Sequence, residues 1–568
     1  MTDGHFDAIV VGSGFGGSVT AYRLAEAGKR VLILERGRAY PPGSFTRSPY
    51  KARESFWNPE RGLTGMYHYW SFKGIDALVS AGLGGGSLIY ANVFLRKDER
   101  WFVDEDVNDG GYESWPVTRA DLDPHYDRVE KMIRLQRYPF DHEPYANTPK
   151  TIAFKQAAEA NGLEWFLPQL AVTFANEGRP PVPGEKIVEE IPNLHGRDRV
   201  TCQLCGECDV GCNFGAKNTL DYNYLTHAKH EGAEIRTLAD VRTIEPREGG
   251  GYRVGYAALG DDGAPESNGR PAPLTKLTCD HLVLSAGTLG TTNLLLRNRS
   301  AFPRLSRKLG TRFCGNGDLL TLAVNCREVI DGRRTPRLVD AGYGPVITST
   351  ARMPDALDGA EGRGFYLQDA GYPQHLAWIL HVVAAPRTLW NWRSHGLYLV
   401  KNWMRGSPDT DVTGHIADLL ESAELSAGGL PLLGMGRDVP DGRMYLSGGR
   451  LDLDWKRAKS DAYFERLRTT SRGFAHALGG KFADNPIWFL KRVITVHPLG
   501  GAPMGRQAGE GVVDPYGNVF GYPGLHIADG SVMPGPVGPN PSFTIAALAD
   551  RFADRILETT PAAEAAAP

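Results

Sequence analysis

The stretch that most limits what this chain can fold into is its beginning. Phe6-Asp7-Ala8-Ile9-Val10-Val11 is an apolar run that breaks into Gly12-Ser13-Gly14-Phe15-Gly16-Gly17; a helical stretch and a second run, Val31-Leu32-Ile33-Leu34, then end on Glu35. A buried strand, a glycine turn, a helix and a strand closing on a carboxylate follow one another as in a dinucleotide-binding βαβ unit. Gly12 permits the tight turn off the strand, Gly14 lets backbone approach a pyrophosphate, and Gly17 lets the helix pack on the sheet. The phosphates lie at the helix N-terminus, where free N–H groups and the dipole favour negative charge. Glu35 is placed to accept hydrogen bonds from ribose hydroxyls. A glycine-rich turn also occurs for purely structural reasons, but here strand, helix and terminal acid all stand in order. The pattern specifies a dinucleotide without separating FAD from NAD.

The remaining bounds are broad. A chain of 568 residues holds two or more domains, and 42% hydrophobic and 23% charged residues are ordinary for a globular protein. A net charge of -3 leaves no nucleic-acid footprint. The polar Met1 to His5 leaves no room for a secretory signal before the first strand, and no run of about eighteen apolar residues suggests a membrane span. A cytoplasmic location is therefore expected, with peripheral contact at the inner face of the membrane as an addition considered below. Four of the seven cysteines crowd into one segment. Without an export signal, this favours a metal site over disulfides.

Along the chain, strand signals resume at Glu234–Leu238 and at His281–Ser285, the second running into Ala286-Gly287-Thr288 and a leucine-rich helix. The nucleotide domain is thus expected to be discontinuous: an α/β, Rossmann-like FAD-binding domain from 1–110, 226–318 and 491–558. An α+β substrate domain with a mainly antiparallel sheet is expected from 111–225 and 319–490, and a frayed tail over 559–568. Helical spacing marks Asp121–Leu135, Thr151–Ala160, Leu220–His230 and a final helix from about Pro541 to Leu557.

Gly82-Leu83-Gly84-Gly85-Gly86-Ser87, continuing to Asn92, suits backbone passing flat against a cofactor, with Ser87 and Asn92 offering polar atoms to its edge. Packing of one backbone on another is the alternative. Far downstream come Val496-His497-Pro498-Leu499-Gly500-Gly501, Ile527-Ala528-Asp529-Gly530-Ser531 and Asn540-Pro541-Ser542-Phe543-Thr544. On these motifs, the N-terminal fingerprint, the Gly82–Asn92 cluster and Ser285-Ala286-Gly287-Thr288-Leu289-Gly290, the chain resembles the glucose–methanol–choline (GMC) oxidoreductases, in their cholesterol-oxidase-like branch. The resemblance implies non-covalent FAD and oxidation of an alcohol by hydride transfer to flavin N5. Its cofactor contacts are Gly12, Gly14, Phe15, Gly17, Glu35, Gly84, Gly85, Ser87, Asn92, Val241, Ala286, Gly287, Asp529, Gly530 and Pro541. His497 falls on the active-site histidine and Asn540 on its partner. A base of near-neutral pKa beside the substrate oxygen is what hydride loss from an alcohol demands. The helix following Pro541 aims its positive end at the flavin, and proline suits that first turn. Singly, His497 reads as a core histidine and Asn540 as a helix cap.

One departure bears on the substrate. Where cholesterol oxidases carry a glutamate as an additional base, the best register here places Gln368, with Asp369 adjacent. Glutamine takes no proton at neutral pH, so steroid isomerisation is not expected. A one-residue shift turns Asp369 to the opposite face of the strand.

Cys202, Cys205, Cys208 and Cys212 have the Cys-x-x-Cys-x-x-Cys-x-x-x-Cys spacing of bacterial ferredoxins, but Asn213 stands where a proline follows there. The fourth ligand is open between Cys212, the distant Cys279, Cys314 or Cys326, and none. A 4Fe-4S cluster, a 3Fe-4S cluster in the last case, a structural zinc site with four thiolates and vestigial cysteines are the open readings, iron–sulfur being favoured. A cluster implies relay of single electrons from the flavin to an acceptor. Finally, 376–405 holds four tryptophans among basic residues. It reads as a lid over an apolar pocket, or as a peripheral membrane contact.

The expected activity is therefore oxidation of an apolar, sterol-like or long-chain alcohol, with a quinone, a carrier protein or oxygen as electron acceptor and no nucleic acid as partner. An oxygen-reducing oxidase with a structural or vestigial cysteine motif, and a non-redox FAD-containing lyase, are the alternatives.

Overall fold

The computed structural model describes residues 4–105, 111–260, 273–373 and 428–559. The tryptophan-rich 376–405 segment and the tail beyond Thr559 lie outside the described residues.

The first apolar run forms the strand His5–Val11 at the centre of a seven-stranded sheet. Val31–Leu34 pairs with it in parallel on one side and Leu274–Leu284 on the other. Glu234–Arg236 adds to Val31–Leu34, and Leu525–Ile527 adds in parallel to the far end of Leu274–Leu284. Strands covered on both faces read as unbroken apolar runs, which is why Ile9, Val10, Leu32 and Ile33 are fully buried. The sheet is drawn from both ends and the middle of the sequence, so the Rossmann-like unit is discontinuous. Two antiparallel strands, Tyr252–Ala258 and Ala239–Pro246, extend it.

A second, six-stranded sheet is antiparallel throughout, in the order Lys481–Asp484, Leu319–Val324, Leu430–Gly436, Phe365–Asp369, Thr350–Met353, Trp165–Phe166. The helices Pro149–Ala160 and Asp461–Ala477 pack on one face, where Phe154, Phe474 and Leu467 meet Leu432, Leu367 and Leu319. Side chains alternate across a strand. Leu433, Leu320 and Leu322 therefore project from the opposite face, into the cavity between the two sheets.

Expected helices shift at their ends. The one expected over Asp121–Leu135 runs Arg119–Ile133, because Thr118 and Asp121 form a reciprocal capping box at its start. The Leu220–His230 stretch divides into the 3-10 turn Leu220–Tyr222 and the helix Tyr224–His230, with the Asn223 side chain capping the Tyr224 N–H. The final helix is Ser542–Thr559, so Thr559 is helical rather than part of a frayed tail.

Candidate active site and cysteine cavity

A cavity of about 1930 Å³ lies between the two sheets. This exceeds the few hundred to about 1,000 Å³ of a typical small-ligand pocket and suits a dinucleotide together with a substrate. One end is built from the fingerprint. Gly12 turns at φ +99°, and a Cβ there would lie 2.3 Å from the Ser285 carbonyl oxygen. A Cβ on Gly17 would lie 2.1 Å from the Gly12 carbonyl, the close helix–strand approach expected of it. Gly14, Gly86 and Gly287 line the cavity, and a Cβ on any of them would meet no protein atom within 4 Å. Asn92, fully buried and in the left-handed region at φ 69°, lines the same wall with neither amide atom partnered by protein. Glycine faces left clear beside an unpartnered buried amide fit a bound flavin nucleotide.

Most of the expected cofactor contacts line this cavity: Gly12, Gly14, Phe15, Glu35, Gly85, Asn92, Val241, Ala286, Gly287, Asp529, Gly530 and Pro541. Glu35 does more than face it. Its Oε2 accepts from the Ser13 N–H and hydroxyl at 3.1 and 2.7 Å, and its Oε1 from the Gly37 N–H at 2.8 Å. Asp529 accepts the Gly287 N–H at 2.9 Å and the Ser531 N–H at 2.8 Å, tying the start of the helix Gly287–Arg297 to the C-terminal strand. Burial raises its carboxyl above the usual range. Two expectations are corrected. Gly84 and Ser87 stand behind the cavity wall: the Ser87 hydroxyl donates to the Gly84 carbonyl at 2.7 Å and accepts the Leu220 N–H at 3.2 Å. They shape the turn, and Gly85, Gly86 and Asn92 face the cavity instead.

His497 and Asn540 line the other part of the same cavity. His497 Nδ1 lies 2.8 Å from Asp318 Oδ1. A carboxylate can only accept, so Nδ1 carries the proton and Nε2 is left as the acceptor. Asp318 Oδ2 is held by the Val496 N–H at 2.9 Å and the Thr495 hydroxyl at 3.0 Å. Asp318 precedes His497 by 179 residues and sits in no motif, so sequence reading missed it.

Asn540 precedes the helix Ser542–Thr559 on a loop fastened from below. Asn316 exchanges hydrogen bonds with Gly538 and Pro539, and the buried Lys97 ammonium donates to the carbonyls of Pro536 and Val537. Burial pushes Lys97 down to about 7. Gln368 Nε2 donates to Asn540 Oδ1 at 3.0 Å and to Thr350 Oγ1 at 3.2 Å, so the Asn540 NH₂ is the end left to donate. Asp369 projects the other way. Its carboxylate accepts from the Thr348 and Ser349 N–H groups and stands 3.9 Å from Lys150, on the helix packed against that face.

The four clustered cysteines are free and line a second, small cavity together with Lys217, Gly344 and Pro345. Leu204 and Gly206 take φ of 59° and 66°, curling the loop around it. Three sulfurs accept backbone N–H bonds: Cys202 from Leu204 at 3.5 Å, Cys205 from Glu207 and Cys208 from Val346. Among the described residues no three of the four sulfurs lie within 4.8 Å of one another. Tetrahedral zinc with bonds of about 2.3 Å needs sulfurs about 3.8 Å apart, whereas a multi-iron cluster spreads its thiolates more widely. The sulfurs thus lie farther apart than tetrahedral zinc requires. Burial pushes the Cys205 thiol up to about 12 and raises Cys202 and Cys208 as well.

The cavities adjoin. Asp209 and Val210, inside the cysteine loop, line the large cavity. Lys217 Nζ donates to Cys208 O at 2.7 Å and to Leu88 O and Tyr90 O at 2.9 and 3.2 Å, on the segment that carries Asn92.

Fold and site define a flavin-dependent oxidoreductase built on a Rossmann-like nucleotide domain. Family profiles agree: residues 192–314 and 482–549 match GMC oxidoreductase, and residues 10–49 match an NAD(P)-binding Rossmann-like domain. The chain is thus similar to the GMC oxidoreductases, and that family-level likeness supports FAD as its cofactor. It is 29% identical over 577 residues to a cholesterol oxidase of Mycobacterium tuberculosis, an alignment spanning 96% of this chain and 90% of that protein. Identity is 23% over 575 residues to a long-chain-alcohol oxidase of Arabidopsis thaliana, spanning 97% and 67%. The formate oxidase of Aspergillus oryzae shares the fold, with a TM-score of 0.58 at 14% identity over 99% of this chain and 100% of that one.

Proposed function

We propose that this protein oxidises the hydroxyl of an apolar alcohol, sterol-like or long-chain, to the carbonyl. The observation that carries the reading is the cavity shared by His497, Asn540 and the dinucleotide turn. FAD, when bound, supplies the hydride acceptor. His497 Nε2 takes the hydroxyl proton as the C–H bond breaks with its electron pair and the C=O bond forms; Asp318 stabilises the imidazolium that results. Asn540 donates to the substrate oxygen. Leu320, Leu322, Leu433 and Ile347 line the cavity and favour an apolar chain or ring system. The named substrates of the cholesterol and long-chain-alcohol oxidases support the same class. Gln368 donates but cannot accept a proton, so isomerisation of a steroid product is not part of the activity. An anaerobic panel of sterols, fatty alcohols and sugars tests this. Apolar alcohols should bleach the flavin, and His497→Ala should slow bleaching by about 10² to 10⁴-fold at unchanged FAD content. Bleaching by sugars alone, or an unimpaired His497→Ala, would overturn it.

We further propose that electrons leave singly through an iron–sulfur cluster on Cys202, Cys205, Cys208 and Cys212, toward a quinone or a carrier protein. Four sulfurs on one cavity beside the flavin wall, three of them accepting N–H bonds, support this. Protein purified without air should hold about three or four iron atoms and matching acid-labile sulfide per FAD. Zinc alone, or no metal, would leave an oxygen-reducing enzyme with a structural cysteine loop.

A further inference from the structure

Two lysines next to the cysteine cavity are almost wholly withdrawn from water. Lys217 is 1% exposed and Lys150 fully buried. The Lys217 ammonium donates only to the three carbonyls of Leu88, Tyr90 and Cys208, and among the described residues no carboxylate stands within 4.0 Å of it. Lys150 donates to the carbonyls of Pro345 and Val346, the wall of the cavity opposite the loop, with Asp369 at 3.9 Å as its single close acid. Carbonyls satisfy N–H donors but do not neutralise a cation. A buried ammonium is costly unless an anion shares its surroundings. The other acid beside the loop, Glu207, pairs with Arg47 at 2.9 Å, and Asp209 faces the large cavity. Both lysines interact electrostatically with Cys208 and Asp209, and Lys217 also with Cys212 and Asp221. Among the described residues, no carboxylate but Asp369 stands within 4.0 Å of either ammonium, so the cysteine sulfurs are among the groups that set their surroundings.

We infer that Lys217 and Lys150 are the built-in counter-charges of an anionic iron–sulfur cluster in the cysteine cavity, Lys217 also fixing the cluster loop to the Leu88–Tyr90 wall of the flavin site. The inference rests on the cluster reading above and deepens it. Four thiolates around an iron–sulfur core carry net negative charge, which grows on one-electron reduction. A nearby ammonium therefore favours the reduced form and raises the potential at which the cluster accepts an electron from the flavin side.

The test is a redox titration of anaerobically purified holoprotein, followed by electron paramagnetic resonance, with iron, sulfide and FAD counted for each variant. Lys217→Met should keep its FAD and shift the midpoint to more negative values by at least tenfold in the reduction equilibrium, about 59 mV for one electron. Lys217→Arg should restore most of the shift, since it keeps the charge. Lys150→Met, half-compensated by Asp369, should shift in the same direction by less. Should Lys217→Met fail to fold, the Lys150→Met and Lys217→Arg pair still decides. A wild-type protein without iron overturns the cluster reading itself. Wild-type iron with midpoints unmoved in the folded Met variants leaves the cluster standing and overturns the counter-charge role.

Discussion

The two cavities are made by opposite means. At its dinucleotide end the large one is shaped by backbone: glycines at 14, 86 and 287 leave room beside the turn into the helix Ser542–Thr559. The small one is shaped by side chains on a tightly curled loop, with sulfur facing inward and buried ammonium groups behind. Each loop is fastened by a buried lysine donating to carbonyls, Lys97 under the Asn540 loop and Lys217 under the cysteine loop. The lysines differ in their surroundings. Both interact with acids, Lys97 with Glu113 and Lys217 with Asp209 and Asp221, but Lys97 also lies 4.3 Å from the centre of the Trp115 ring, whereas Lys217 lines the cysteine cavity.

The sharpest way to break the comparison is a double dissociation. Cys208→Ser should abolish the iron content and alcohol-dependent reduction of one-electron acceptors, yet leave flavin bleaching by alcohol intact. His497→Ala should slow flavin bleaching, and acceptor reduction with it, at unchanged iron content. If Cys208→Ser also stops bleaching, or His497→Ala also loses iron, the cavities are not separate functional units. Next in size is Asp318→Asn, which removes the carboxylate fixing the His497 tautomer. The rate of flavin reduction should fall on the order of 10²-fold or more, with FAD and iron unchanged. Gln368→Glu takes away the donor that orients Asn540. About tenfold loss in kcat/KM is expected, near the 1.5 kcal/mol of one hydrogen bond.

The smallest effect concerns stability. Lys97 has its folded pKa, about 7, below the ordinary lysine value. Between pH 7 and about 10 the unfolded chain binds more protons, so this group makes stability rise with pH over that window, and its unfavourable burial is felt fully below it. Lys97→Met should flatten that rise in urea titrations, and an unchanged slope would show that burial does not lower the Lys97 pKa.

What sequence revealed divides along the same line. The βαβ unit was legible because each step is local: apolar run, glycine turn, helix and Glu35 lie within thirty-odd residues. The ferredoxin-like spacing was equally local. Asp318 was not legible, because it meets His497 only when the second sheet docks beside the C-terminal strand. Lys217 and Lys150 were hidden for the same reason, each being an unremarkable lysine until burial gives its charge a cost. Ser87 and Gly84 were misread as cofactor contacts because a glycine cluster does not reveal which of its residues face outward. Asp369 shows the converse, since strand alternation alone sent it away from Asn540.

The claim that joins the two cavities is that electrons from the alcohol cross from one to the other. Anaerobic mixing of the iron-containing holoprotein with a substrate alcohol, with flavin absorbance and electron paramagnetic resonance followed on the same samples, tests it directly. Flavin bleaching followed by the signal of a reduced four-iron cluster, or by loss of the signal of an oxidised three-iron one, is the predicted result. Bleached flavin beside a cluster whose signal never changes would contradict it.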